Sequence, residues 1–399
     1  YYCIIIIKMY YKKIYKKVFT LFVFLFACQV SAKDIHYAGF FLMSHQDVKK
    51  ELPYSYKALS RSSSPVRYKK FSQFIENEIE NTTNPNYTIS MDLGTIKKGD
   101  ALAFGIAISG ESINYFAAAK SAQYELTFNV LVFDFKDKLL ISKIPFRWRF
   151  AKDSPEKPSN EKVLNDIYSS LFKKPTPTEK NLNPLSFAKV LRDNISAIPE
   201  NFQLMRVGIN SVVIHPDVEL PGNLTPEIFG IQSAQRFESK ISEHIGIPLI
   251  PYSIGSIKDR KLGLLSKFSD QADFFLKLPE PDLAFNLTIK RFKSAQENYD
   301  EYRIWKKIVA KAYIELVEPY TDESYFSGNI YILRKFKLSK DNIGDYSGVN
   351  LWSAYQNLQN YLFHSFSKQI KSPDSDKLRE ISKDIDVSMM KSLLSEIKQ

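Results

Sequence analysis

Cysteine is almost missing from this chain. Only Cys3 and Cys28 occur in 399 residues. Beyond residue 32 there is none, which excludes disulfide staples, a thiol nucleophile and thiolate metal sites from the remainder. Glycine is scarce too, at 14 residues. Gly94, Gly99, Gly105 and Gly110 lie amid strand-like text with no helix behind them, so they read as turns or bulges. There is no phosphate loop, dinucleotide fingerprint, G-x-S-x-G elbow or H-E-x-x-H helix. No metal and no cofactor is expected.

Aromatic residues are abundant by contrast, with 29 Phe and 23 Tyr. Flat side chains favour sheets, where they pack across strands. With 44% hydrophobic and 25% charged residues the composition is globular, and the length suits two domains.

Residues 1–32 read as leader rather than fold. YYCIIIIK lacks an initiating Met and reads as translated upstream sequence. After Met9 come Lys12, Lys13, Lys16 and Lys17, then an apolar run from Val18 to Val30, then Val30-Ser31-Ala32 with small residues at −3 and −1. This is the pattern of a cleaved secretory signal. The run is roughly a dozen residues, against about 20 for a bilayer span. LFAC (Leu25–Cys28) offers an alternative: Ala27 suits a lipobox and Phe26 suits it poorly, and acylation of Cys28 would tether the product to a membrane. The expected location is outside the cytoplasm, periplasmic or outer-membrane-associated if the source is bacterial. The formal charge is +11; five lysines and no acid leave with the leader, which gives +6. The basic residues look scattered, and no nucleic-acid partner is expected.

Similar words recur in one order. HQDVKKELP (His45–Pro53) pairs with HPDVELP (His215–Pro221). Phe71, Ile75 and Ile79 pair with Phe237, Ile241 and Ile245, each set on one helical stripe. LGTIK (93–97) pairs with IGSIK (254–258), and DALAFGIAI (Asp100–Ile108) with PDLAFNLTI (Pro281–Ile289). Two further strands and a helix follow in each half. The expectation is an α+β protein with two tandem copies of a strand-helix-strand-(helix)-three-strand-helix module, mixed sheets with helices packed on one face. Boundaries are set at 33–172, a connecting segment 173–204, 205–372, and a C-terminal amphipathic helix 373–399. The extra text of the second half, RKLGLLSKFSDQADFFLKLPE (Arg260–Glu280), is expected to be a helix and its linker.

Three stretches of the second half carry a resemblance: HIGIPLIPYSIG (His244–Gly255), FSDQADFFLKLPEPDLAFNLTIKRF (Phe268–Phe292) and IELVEPYTDESYFSGNIYIL (Ile314–Leu333). With the order of elements, they resemble a bacterial envelope domain. It occurs in the amino-terminal domain of the Tol-system periplasmic protein, in curli-secretion lipoproteins, and in lipoprotein activators of cell-wall synthases. The resemblance implies an envelope assembly or adaptor role without catalysis, and it carries over no functional residue.

Two His-x-Asp pairs, His45/Asp47 and His215/Asp217, are the candidate catalytic residues of an alternative reading, an exported hydrolase. The simpler reading makes both pairs turn residues. In PFRWRF (Pro145–Phe150), Phe146, Trp148 and Phe150 are expected to face a core, leaving Arg147 and Arg149 exposed and free for anionic partners. Asp322 and Glu323 read as solvated loop acids. The favoured function is an exported, non-catalytic binding or assembly adaptor for an envelope protein or polymer. A secreted host-facing effector is the third reading.

Overall fold

The computed structural model describes residues 33–44, 47–95, 102–116, 120–172, 186–200, 202, 205–220, 225–252, 261–265, 274–339 and 349–371. Residues 1–32 with Cys28, His45, most of the two LGTIK-like words and residues 373–399 lie outside the described residues.

The first half begins with β1 (Lys33–Ser44), whose apolar text is buried on both faces, and continues into helices α1 (Val48–Glu51), α2 (Pro53–Leu59) and α3 (Pro65–Glu80). Pro65 starts α3 where its missing N–H costs nothing, and Phe71, Ile75 and Ile79 form its buried stripe. Then come β2 (Tyr87–Ser90), a 3-10 turn at Leu93–Thr95, and the meander β3 (Leu102–Phe116), β4 (Ser121–Asp134), β5 (Leu139–Asp153). The FKDK turn joins β4 to β5: Asp134 accepts from Lys136 N and Asp137 N, both at 2.8 Å. Gly110 falls at a bulge between β3 and β4. Helices α4 (Asn160–Leu171) and α5 (Phe187–Ser196) close the half, N-capped by Ser159 and Ser186. Helix α5 lies in the segment expected to be connecting, yet Phe187, Leu191 and Ile195 are fully buried in the first core.

The second half runs β6 (Val207–Ile214), α6 (Pro226–Ile245), β7 (Leu249–Ile250), β8 (Lys261–Leu265), β9 (Phe274–Lys277), β10 (Leu283–Asn298), β11 (Arg303–Val317), β12 (Ser324–Ser339) and α7 (Val349–Lys371). Thr225 caps α6, and Gly246 ends it at φ 78, the left-handed turn glycine adopts without a Cβ penalty.

The sheets have the orders β2-β1-β3-β4-β5-β9-β8 and β12-β11-β10-β6-β7. Without β8 and β9, the two share one order and one set of pairing senses: a parallel trio followed by an antiparallel meander. The α+β class is therefore observed. A matching order is a property of the fold and does not by itself make the halves copies of one ancestor.

Strands β8 and β9 correct the expected helix and linker. They belong to the second half by position and to the first sheet by pairing. Met43 pairs with Leu264 on one side and Leu139 with Lys277 on the other, so the sheet closes on itself at that end. Leu262, Leu264 and Leu276 are fully buried against Phe41, Leu131 and Phe133. Both edges of the first sheet offered unpaired backbone groups, and that demand outweighed local helical spacing.

The layers follow. Helices α2–α5 cover one face of sheet 1. The β8–β9 segments and α6 cover the other. Helices α6 and α7 cover one face of sheet 2. The second face of sheet 2 is buried at one end only, where Ala284 pairs with Val317; from Lys290 to Glu297 on β10, and at the residues that face this stretch on β11 and β12, none of the described outward residues is buried.

Candidate functional site

Two places could carry function: the polar joint between sheet 1 and α6, and the uncovered face of sheet 2.

The joint arises because α6 is buried on more than one side. Phe229, Phe237 and Ile241 enter the core of sheet 2, while Glu238, Ser239 and Lys240 are buried as well. Lys143 of β5 donates to Glu238 Oε2, with side chains 4% and 2% exposed. The other Glu238 oxygen accepts from Tyr252 N. Arg147 pairs with Glu243 and lies 3.9 Å from Glu125, and Arg149 pairs with Glu125. Lys240 reaches Glu243 at 3.1 Å. Arg236 is pulled down to about 10 by burial, with Glu125 opposing, and it donates to Gln359 of α7. Burial pushes the Glu125 carboxyl up, but Arg149 and Arg147 outweigh that and hold it below the usual range. Burial raises Glu111, although the first amides of α2, Tyr54 N at 2.7 Å and Ser55 N at 2.6 Å, donate to it.

Two cavities adjoin this joint. A small one of about 50 Å³ is bounded by Glu111, Glu125, Arg147 and Arg236. An open cleft of about 680 Å³ lies between β5, the end of α5 and the end of α6, with Lys143, Arg147, Arg149 and Glu243 in its wall. The three wall cations already hold carboxylates. This corrects the expectation for Arg147 and Arg149. Their aromatic neighbours Phe146, Trp148 and Phe150 do enter the core, but the arginines bind Glu125 and Glu243 and are not free. Helix α6, supplied by the other half of the chain, covers Arg147, while Arg149 is half-exposed and held by Glu125 of the neighbouring strand β4.

The uncovered face of sheet 2 is built by alternation. Along β11, Ile308, Ala310, Ala312 and Ile314 point to the core, so Trp305, Lys307, Val309, Lys311 and Tyr313 point away. Pairing across three strands lines up four rows on that side: Arg291, Lys311, Tyr331; Lys293, Val309, Leu333; Ala295, Lys307, Lys335; and Glu297, Trp305, Lys337. The bulge at Lys290 adds its amine, which donates to Asn329 at 3.0 Å and lies 4.6 Å from the Tyr313 ring. From the Lys290 bulge through the four rows the face carries seven basic side chains, with Glu297 and Glu315 as its acids; Lys307 pairs with Glu297, and Arg303, one row further on, is held by Asp300. Arg291 stands directly opposite Lys311, and Lys307 opposite Lys335. Like charges facing across strands oppose pairing, so the Arg291–Lys311 row costs stability in the isolated protein, while Glu297, paired with Lys307, offsets the other. Tyr331 is 73% exposed and Leu333 46%.

The residues singled out in the sequence lie elsewhere. Asp47 is a helix cap, accepting from Lys49 N at 2.9 Å at the start of α1. His215 and Asp217 sit in an exposed turn where β6 leaves the sheet, with Nδ1 and Oδ2 3.7 Å apart. Asp217 N donates to His215 Nδ1 at 3.2 Å, so in this turn it is the His ring that bonds the backbone. Neither Asp47 nor the His215/Asp217 pair lines the two cavities. Asp322 and Glu323 are exposed in the β11–β12 turn, Asp322 at φ 57. Among the described residues, no three His, Cys, Asp or Glu side chains gather as a metal site, and no helix is long and apolar enough to cross a membrane. The basic face was not anticipated. Its signal was present in RIWKKIVAKAYIELV (Arg303–Val317), where an apolar side alternates with a side carrying Lys307 and Lys311.

No protein-family model matches the chain, and no curated protein matches it. Similar solved structures include a minor lipoprotein from Acinetobacter baumannii, at 8% identity and TM-score 0.22, covering 44% of this chain and 94% of that one. Another is the hypothetical protein CT253 from Chlamydia trachomatis, at 9% identity and TM-score 0.23, covering 41% and 95%. A third is a neuraminyllactose-binding hemagglutinin homolog from Helicobacter pylori, at 14% identity and TM-score 0.23, covering 46% and 91%.

Proposed function

We propose that this protein is exported and serves as a non-catalytic binding or assembly adaptor of the cell envelope, meeting a negatively charged partner through the uncovered face of sheet 2. One observation carries the reading: that face sets seven bases against two acids and places like charges opposite one another. An anionic partner relieves this repulsion. All three cleft cations are held by carboxylates, whereas of the seven bases on the face only Lys307 is, by Glu297. The leader pattern of residues 9–32 supports export, and the common strand order supports reading the chain as two copies of one module.

The test is retention on immobilised heparin, a generic polyanion. The processed chain is retained at low salt. K293E/K311E/K335E elutes early, while K57E/K69E/K70E, with the same net charge on the helical side of sheet 1, elutes like the parent. Equal behaviour of the two variants overturns the assignment. Fractionation with mass spectrometry of the mature amino terminus tests export, since a start at Lys33 marks a released form and an acylated Cys28 a tethered one.

A further inference from the structure

Resting on that reading, we propose that the partner of the basic face is an anionic phospholipid surface, on which sheet 2 lies flat.

The composition of the face favours lipid over a rigid polyanion. Six of its seven basic residues are lysines and one, Arg291, is an arginine. Lysine is a mobile point charge, whereas arginine supplies the paired, planar donors that read fixed phosphates or sulfates. A fluid headgroup layer offers charge without fixed geometry, and a loose lysine array suits it. The rows from Lys311 to Trp305 extend roughly 20 Å along the strand, which makes a plane rather than a groove.

Aromatic placement points the same way. Binding of single-stranded nucleic acid or sugar faces needs bare rings as stacking platforms. Here the Tyr313 ring carries Lys290 at 4.6 Å, and the Tyr299 ring carries Lys337 at 3.7 Å. What stands free is amphipathic: Tyr331 and Leu333 within the face, and Tyr302 at the β10–β11 turn, 69% exposed. Such side chains settle at the boundary between headgroups and hydrocarbon, with their polar tips wet. The ends of Lys293, Lys311, Lys335 and Tyr331 therefore project together from one plane, the arrangement an anionic interface binds.

The experiment is vesicle co-sedimentation with the processed full chain. It compares phosphatidylethanolamine–phosphatidylglycerol vesicles with pure phosphatidylcholine vesicles, each at low and high salt. The inference expects binding to the anionic vesicles alone, lost at high salt, lowered at least about a hundredfold by K293E/K311E/K335E and unchanged by K57E/K69E/K70E. Y331S/L333S keeps the charge and weakens binding by a smaller factor. Binding to both vesicle types alike, no binding at low salt, or an unaffected K293E/K311E/K335E overturns it. Heparin retention separates the two claims. If heparin holds the parent and releases the variant while anionic vesicles do not bind, the lipid assignment falls and the basic-face reading stands. If neither probe binds, both fall.

Discussion

Lys143 of β5 and Glu238 of α6 form an ion pair almost wholly out of solvent, joining sheet 1 to a helix of the other half of the chain. The second Glu238 oxygen takes Tyr252 N, so the carboxylate also holds the chain where it leaves β7. Removing one partner strands the other charge in the interior. Lys143→Met and Glu238→Leu should each cost about 3–5 kcal/mol, and the double variant should recover most of that loss. Urea denaturation of the four chains measures it. Additive losses would show that the pair does not act as a unit.

Gly105 shows how closely the cover of sheet 1 is packed. A Cβ there would stand 2.3 Å from Phe41 Cε2 and 3.2 Å from Gly39 O. Phe41 cannot swing clear, since it is 4% exposed and stacks on Phe274 of β9. Gly105→Ala should therefore lower stability by about 1–3 kcal/mol, seen as a fall in Tm. No change in Tm would mean that the β8–β9 cover is looser than its pairing indicates.

Asp166 gives the first core an acid limb. Burial would raise its carboxyl, but hydrogen bonds from Tyr124, Lys162 and Lys152 hold it below its ordinary value. A lowered carboxyl stabilises the fold above its unfolded value of about 4, and that contribution is lost as pH falls through the folded value. Asp166→Asn should be less stable at neutral pH by about 1–3 kcal/mol and should lose less on acidification. Denaturation midpoints from neutral to acid pH provide the measurement. Parallel curves for the two chains would contradict the assignment.

The helical seam between α6 and α7 carries the opposite kind of group. His364 Nδ1 and His244 Nε2 are 2.5 Å apart. Burial lowers both imidazoles. The charge of His364 adds to this at His244, that of Lys368 at His364, and those of Lys240 and Arg147 at both, while Glu243 opposes. The folded pair favours neutrality, so its contribution is present above about pH 6.5 and lost as pH falls below it. His364→Gln should flatten the stability profile across that window. A profile as steep as the parent's would place the titration elsewhere.

How much of this could be read from the amino acids follows the range of the forces involved. The apolar stripe of Phe71, Ile75 and Ile79 and the alternation in β4 are local, and both elements formed where those periods lie. Arg260–Glu280 was misread because Leu264, Phe268 and Phe275 also suit a helix. Strand pairing there was decided by two sheet edges far off in the chain, at Met43 and Leu139. Arg147 and Arg149 were placed on the right side of β5, but sequence could not say that Glu243 of α6 would take Arg147 and Glu125 of β4 would take Arg149. The basic face was missed for the converse reason: lysines that look scattered along the chain become neighbours only when β10, β11 and β12 pair. The His-x-Asp words could not be assigned from sequence alone, because a helix cap and an exposed turn use the same residue types as a catalytic pair.

The central claim is that the protein binds with the uncovered face of sheet 2. Lysine footprinting tests it most directly: reductive methylation of the processed chain with and without phosphatidylglycerol-containing vesicles, read residue by residue by mass spectrometry. Protection should fall on Lys293, Lys311, Lys335 and Lys337 and leave Lys57, Lys69 and Lys70 unchanged. Protection of the latter three, with the former four reacting as in free protein, would contradict the account.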